Sequence, residues 1–108
     1  MTLSNKSGLN GKDLLEMFSR ATEFFESHVD SINALNVFPV PDGDTGINMY
    51  RTLSDMMAHS KRYPSESAGE VINTMARGSL RGARGNSGVI LSQIIKGIAE
   101  ETRTKKVL

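Results

Sequence analysis

The stretch Asn36-Val37-Phe38-Pro39-Val40-Pro41-Asp42-Gly43-Asp44-Thr45-Gly46-Ile47-Asn48-Met49 decides how this chain of 108 residues is read. It sets two carboxylates on either side of a glycine, at the mouth of what reads as a helix. Asp42 and Asp44 are close enough in sequence to share one cation or to flank a pair of them. Pro39 and Pro41 fix φ on the approach and push the residues before them towards extended conformations. Gly43 and Gly46 let the backbone turn where a Cβ would obstruct. A rigid approach, hard oxygen donors and a tight turn suit Mg²⁺, which takes few carboxylates and leaves positions for water and phosphate. Taken alone, an Asp-Gly-Asp turn is more often a plain helix cap.

Upstream of this stretch, residues 1–10 read as a loose polar arm. From Lys12 the apolar residues Leu14, Leu15, Phe18, Ala21, Phe25, Val29 and Ile32 fall at helical spacing, which predicts one amphipathic helix. Downstream, a second helix is expected from Thr45 or Gly46, with Met49, Leu53, Met56 and Met57 turned inwards. Tyr63-Pro64-Ser65 breaks the pattern, and Ser65 or Ser67 is placed to cap a third helix. That helix carries Ala68, Val71, Ile72, Met75 and Leu80 on its inner side. Glycines 82, 85 and 88 interrupt it, and a fourth helix is expected over residues 87–100. Its Val89, Ile90, Leu91, Ile94, Ile95 and Ile98 are expected to be buried. Met17, Met49, Met56, Met57 and Met75 read as core filler. No run alternates well enough for a strand and no repeat is present, so the class is all-α.

Further candidates lie at two helix starts. Thr45 and Asn48 follow the carboxylates, where exposed backbone N–H groups favour phosphate and a hydroxyl or amide adds a donor. The bland reading makes Thr45 an ordinary N-cap, and both can hold. Gly85-Asn86-Ser87-Gly88 opens the fourth helix, and small residues there allow the backbone to approach an anion. No Gly-Lys-Ser/Thr follows, so this is not a Walker A loop. Arg77, Arg81 and Arg84 share helical spacing and read as a solvated basic face. His28 and His59 have no sequence neighbour that argues for catalysis.

The residues 36–49, together with Gly82-Ala83-Arg84-Gly85-Asn86-Ser87-Gly88-Val89-Ile90-Leu91-Ser92-Gln93, resemble the dihydroxyacetone-kinase L-type domain, also called the DAK2 domain. The similarity is strongest to the variant at the start of bacterial fatty acid kinases and covers residues 11–100. The resemblance implies an antiparallel helical barrel of about eight helices, of which this chain would supply the first half, roughly four. It implies ATP or ADP as ligand, with Mg²⁺, as two ions, held by Asp42 and Asp44. Asn36 stands where many members carry a third aspartate; an amide can ligate but brings no charge, and an Asx turn is its ordinary role. Thr45, Asn48, Gly85, Asn86, Ser87 and Gly88 fall at nucleotide-binding positions. Ile47 replaces the family's usual threonine.

The reaction implied is ATP-dependent phosphorylation of a fatty acid carboxylate presented by a separate fatty-acid-binding carrier protein. The alternative is dihydroxyacetone kinase, whose triose is held by a separate subunit. That branch has histidine in place of Thr45 and lacks Phe38-Pro39. A non-catalytic helical interaction module is the rival from another class, and the exposed inner faces of a half barrel would favour self-association.

Composition narrows the rest. A net charge of +1 gives no broad case for nucleic-acid or membrane binding. No cysteine is present, so disulfides and thiolate metal sites are excluded. No apolar run is long enough to span a bilayer and no signal-peptide core is seen, which makes the cytoplasm the expected compartment.

Overall fold

The computed structural model describes residues 8–35 and 43–108. The nominated ligands Asn36 and Asp42, the two prolines between them and most of the N-terminal arm lie outside these residues. The described residues form five helices and no strand: α1 (Gly11–Glu26), α2 (Val29–Ala34), α3 (Thr45–Lys61), α4 (Ala68–Gly82) and α5 (Gly85–Thr102).

α1 opens on a capping box. Asn10 Oδ1 accepts from the Asp13 N–H at 2.9 Å, and the Asn10 N–H donates to Asp13 Oδ2 at 3.1 Å. Leu14 is buried, with Leu15 and Phe18 packed against the same core. Ala21 turns out exposed and Thr22 takes the buried place instead. The single helix expected over residues 12–32 is broken in two. Ser27 Oγ donates to the Phe24 carbonyl at 2.7 Å, and His28 Nδ1 lies 3.0 Å from the same oxygen. The His28 N–H then turns to the Phe25 carbonyl at 2.9 Å. Side chains thus occupy the acceptor that a continuing helix would need.

α4 starts where Ser67 caps the Glu70 N–H, while Ser65 accepts from the Ser67 N–H at 3.0 Å. Its first two amides, of Ala68 and Gly69, donate to the carbonyls of Lys106 and Lys105 at 2.9 and 2.7 Å. The residues that follow α5 therefore satisfy donors that every helix start leaves open. Leu9 and Leu108 exchange backbone hydrogen bonds alongside.

α3 and α4 run antiparallel, with Gly82 against Asp55 and Gly78 against His59. α5 returns parallel to α3, with Gly85 beside Asn48 and Gly88 beside Thr52. Leu14, Met56, Met57, Ala68, Val71, Ile72, Met75, Ala76, Ile95 and Ala99 make the core between them. Met17 and Leu80, expected inside, are exposed.

The largest correction concerns the last helix, which starts at Gly85 rather than Ser87 and holds Gly88 in its interior. Its buried positions are Gly88, Ser92, Ile95 and Ala99. Val89, Ile90, Ile94 and Ile98 face outwards, Ile90 with 61% and Ile94 with 57% of their surface open. The 4-3-4 spacing of the buried set is a narrow seam, so most of the isoleucines fall off it. No helix among the described residues is long and apolar enough to cross a membrane.

Candidate functional site

Asp44 is the N-cap of α3, and its carboxylate makes no capping bond to the helix amides. The cap comes from elsewhere: Asn33, at the end of α2, accepts the Ile47 N–H on its Oδ1 at 3.1 Å. A Cβ on Gly46 would lie 2.5 Å from the Val29 carbonyl and 2.9 Å from Asn33 Oδ1. α2 therefore roofs one side of the first turn of α3. Nothing in the sequence distinguishes Asn33 from any other helix-terminal asparagine, and its role emerges only when α2 folds back.

The start of α5 is anchored to α3 through Thr52. The buried hydroxyl of Thr52 accepts from the Arg84 N–H at 3.1 Å and donates to the Asn48 carbonyl at 2.8 Å. Arg84 Nη2 donates to Asp55 Oδ2 at 3.1 Å. Arg84 thus leaves the basic stripe that its spacing with Arg77 and Arg81 suggests. Asn48, Thr52 and Asp55 recur at four and three residues along one face of α3. That periodicity is visible in the sequence and is the signal by which Thr52 and Asp55 could have been found.

Gly85 has φ of +64°, a conformation that side chains rarely tolerate. A Cβ there would also lie 2.6 Å from Asn48 Nδ2. The first turns of two parallel helices consequently meet at Asn48 and Gly85. Each brings the N–H groups of its first turn and the positive end of its dipole to the same edge of the molecule. On this edge Asn86 is exposed, Ser87, Thr45 and Asn48 are half-buried, and Gly88 is buried against Thr52. The six positions nominated from sequence thus belong to two adjoining helix starts, with Asp44 at the head of one of them.

Among the described residues no group of three or more His, Asp or Glu side chains gathers around a common point. Asp44 is the one nominated metal ligand whose position is described. On the same helix, the Tyr50 phenol has its pKa raised above the ordinary 10.0, first by its hydrogen bond with Glu26 and then by burial, so it stays a donor. A hollow of about 140 Å³ between α4 and α5, lined by Asn73, Arg77, Ser92 and Lys96 among others, includes none of the nominated residues.

A family model described as the DAK2 domain matches residues 39–108, a range that holds both sequence blocks except for Asn36, Val37 and Phe38. An uncharacterised protein of Staphylococcus saprophyticus is 40% identical over 102 residues, covering 94% of this chain and 18% of that protein. One from Staphylococcus haemolyticus is 41% identical over 99 residues, 92% of this chain and 18% of its own length. Protein YloV of Bacillus subtilis is 40% identical over 98 residues, again 18% of its length and 91% of this chain. The chain spans about 18% of the curated relatives it matches.

Proposed function

The chain belongs to the DAK2-domain family of kinase-related nucleotide-binding modules, and on that premise we propose that it forms the Mg-ATP-binding part of a cytoplasmic phosphotransferase. The observation that carries this reading is the side-by-side placement of the α3 and α5 N-termini, with Asn48 against Gly85. Two helix starts aimed at one edge suit a polyphosphate better than a single cap would. Ser87 and Asn48 add side-chain donors, and Thr45 a hydroxyl. Asp44, with Asp42 and Asn36 from the preceding stretch of sequence, would hold Mg²⁺. One or two carboxylates suffice for that ion when phosphate and water complete its shell.

Phosphoryl transfer needs position and charge neutralisation more than covalent chemistry from the protein. When bound, Mg²⁺ supplies neutralisation of the phosphate oxygens. This chain's residues orient the phosphates and hold them against the paired helix starts. The acceptor is a fatty acid carboxylate on a separate carrier protein, with dihydroxyacetone on a separate subunit as the alternative acceptor. In both cases the acceptor site lies outside these residues, so the chain alone is expected not to turn over.

Calorimetric titration with ATP, with and without Mg²⁺, tests the assignment. Ser87→Ala is expected to weaken binding roughly tenfold to a hundredfold, the effect of one hydrogen bond to a charged group. The double change Asp42→Ala with Asp44→Ala is expected to abolish the dependence on Mg²⁺. Binding that ignores both sets of changes would remove the site from these two helix starts.

A second reading is favoured by the row Val89, Ile90, Ile94 and Ile98 on α5. An apolar row of this kind marks a contact surface, so we propose self-association as a property of this chain. Light scattering of the Ile94→Ser, Ile98→Ser chain is expected to show a smaller species than the wild type.

A further inference from the structure

His59 lies in the last turns of α3, where that helix packs antiparallel on α4. The fit around its ring is close. A Cβ on Gly78 of α4 would stand 3.0 Å from His59 Cβ and 3.1 Å from Cδ2. Tyr63 packs on the ring with centroids 5.2 Å apart and planes at 52°. Within this wedge the Nε2 atom is sealed from solvent. It is the one buried side-chain nitrogen or oxygen among the described residues that has no hydrogen-bond partner. An orphaned ring nitrogen is tolerable as a neutral lone pair and far more costly as part of a cation.

The charges that shift the ring are cations: Arg81 and Arg77 from α4, and Arg62 at the C-cap of α3. Tyr63 contributes a neutral phenol. The carboxylate one turn back on α3, Asp55, is engaged by Arg84. Glu70 of α4, which lines a hollow with Tyr63 and Arg77, accepts a hydrogen bond from Ser65, and no carboxylate figures among the charges that shift the ring.

We propose that His59 is a proton-sensitive pin in the α3–α4 interface: the neutral imidazole holds the two helices together, and protonation at mildly acidic pH loosens them. The same interface carries the Gly82–Asp55 contact, immediately before the chain turns into α5. Loosening it therefore reaches the point from which α5 departs.

Burial, and then Arg81, Arg77 and Arg62, lower the imidazole pKa from its ordinary 6.5. The unfolded chain then binds the proton more readily than the folded one. Stability is retained above about pH 6.5 and is lost as pH falls from there towards the lower folded-state value.

Thermal unfolding of the whole chain at pH 7.5 and 5.5 tests the proposal, comparing the wild type with His59→Gln and His59→Phe. The wild type is expected to lose more Tm on acidification than either variant, because neither can take up the proton. Equal losses in all three would overturn the proposal. If neither variant folds, the ring resonances of His59 in the wild-type chain decide by NMR titration. A midpoint below 6.5, with amides of α3 and α4 shifting in step, is expected. A midpoint at or above 6.5 would overturn the proposal.

Discussion

α4 buries ten of its fifteen residues, whereas α5 buries four of eighteen, although α5 carries the richer run of large aliphatic side chains. The difference lies in their neighbours. Among the described residues α4 is packed by α1, α3 and α5, while α5 packs chiefly on α3 and α4. Small residues, Gly88, Ser92 and Ala99, take most of the buried seam of α5, and Ile90 and Ile94 point away from it. Apolar content therefore does not tell which face is covered. In α4 it reports a core, and in α5 it reports a surface that remains open among the described residues.

The comparison is open to direct attack. Met75→Ala in α4, at a side chain only 1% exposed, is expected to cost about 2–5 kcal/mol in urea unfolding. Ile94→Ala in α5 removes a side chain of similar size from an open position and, at concentrations low enough to keep the chain monomeric, is expected to cost less than about 0.5 kcal/mol. Similar losses at the two sites would erase the contrast between the helices.

A smaller effect sharpens the contrast at the start of α5. Thr52→Val keeps the shape of the buried side chain and removes the acceptor for the Arg84 N–H. The expected cost is about 1–3 kcal/mol, the penalty of an unsatisfied buried donor. Faster hydrogen exchange at the Arg84 amide should accompany it. Unchanged exchange there would mean that α5 does not depend on α3 for its first turn.

The smallest effect belongs to Asp55, whose bond to Arg84 is about half exposed on both sides. Asp55→Ala should cost about 0.2–1 kcal/mol, shrinking further as salt is added. A loss that is large and indifferent to salt would show that this pair, rather than Thr52, fastens the two helix starts.

Much of the fold is legible in the chain because helix periodicity and capping are local. Met56, Met57, Val71, Ile72 and Met75 fall inside as their spacing predicts, and Ser67 caps α4 with its own hydroxyl. The break at Ser27 and His28 is not legible in the sequence, because a seven-position apolar pattern runs straight through it. The side chains that stop the helix compete for a single carbonyl, an effect that periodicity does not register. The candidate site was legible as two motifs, but neither motif states that they meet.

The sequence by itself determined the all-α class, the starts of α3 and α4 and, through its two motifs, the family. Those properties rest on hydrogen bonds and side-chain spacing within a few residues. Tertiary structure alone decided that Asn48 lies against Gly85, that Thr52 ties α5 to α3, and that Asn33 caps a helix fourteen residues away. It also decided which face of α5 is covered and that His59 is wedged without a partner. Each of these depends on which distant surface arrives opposite a residue, and that is set when the helices pack.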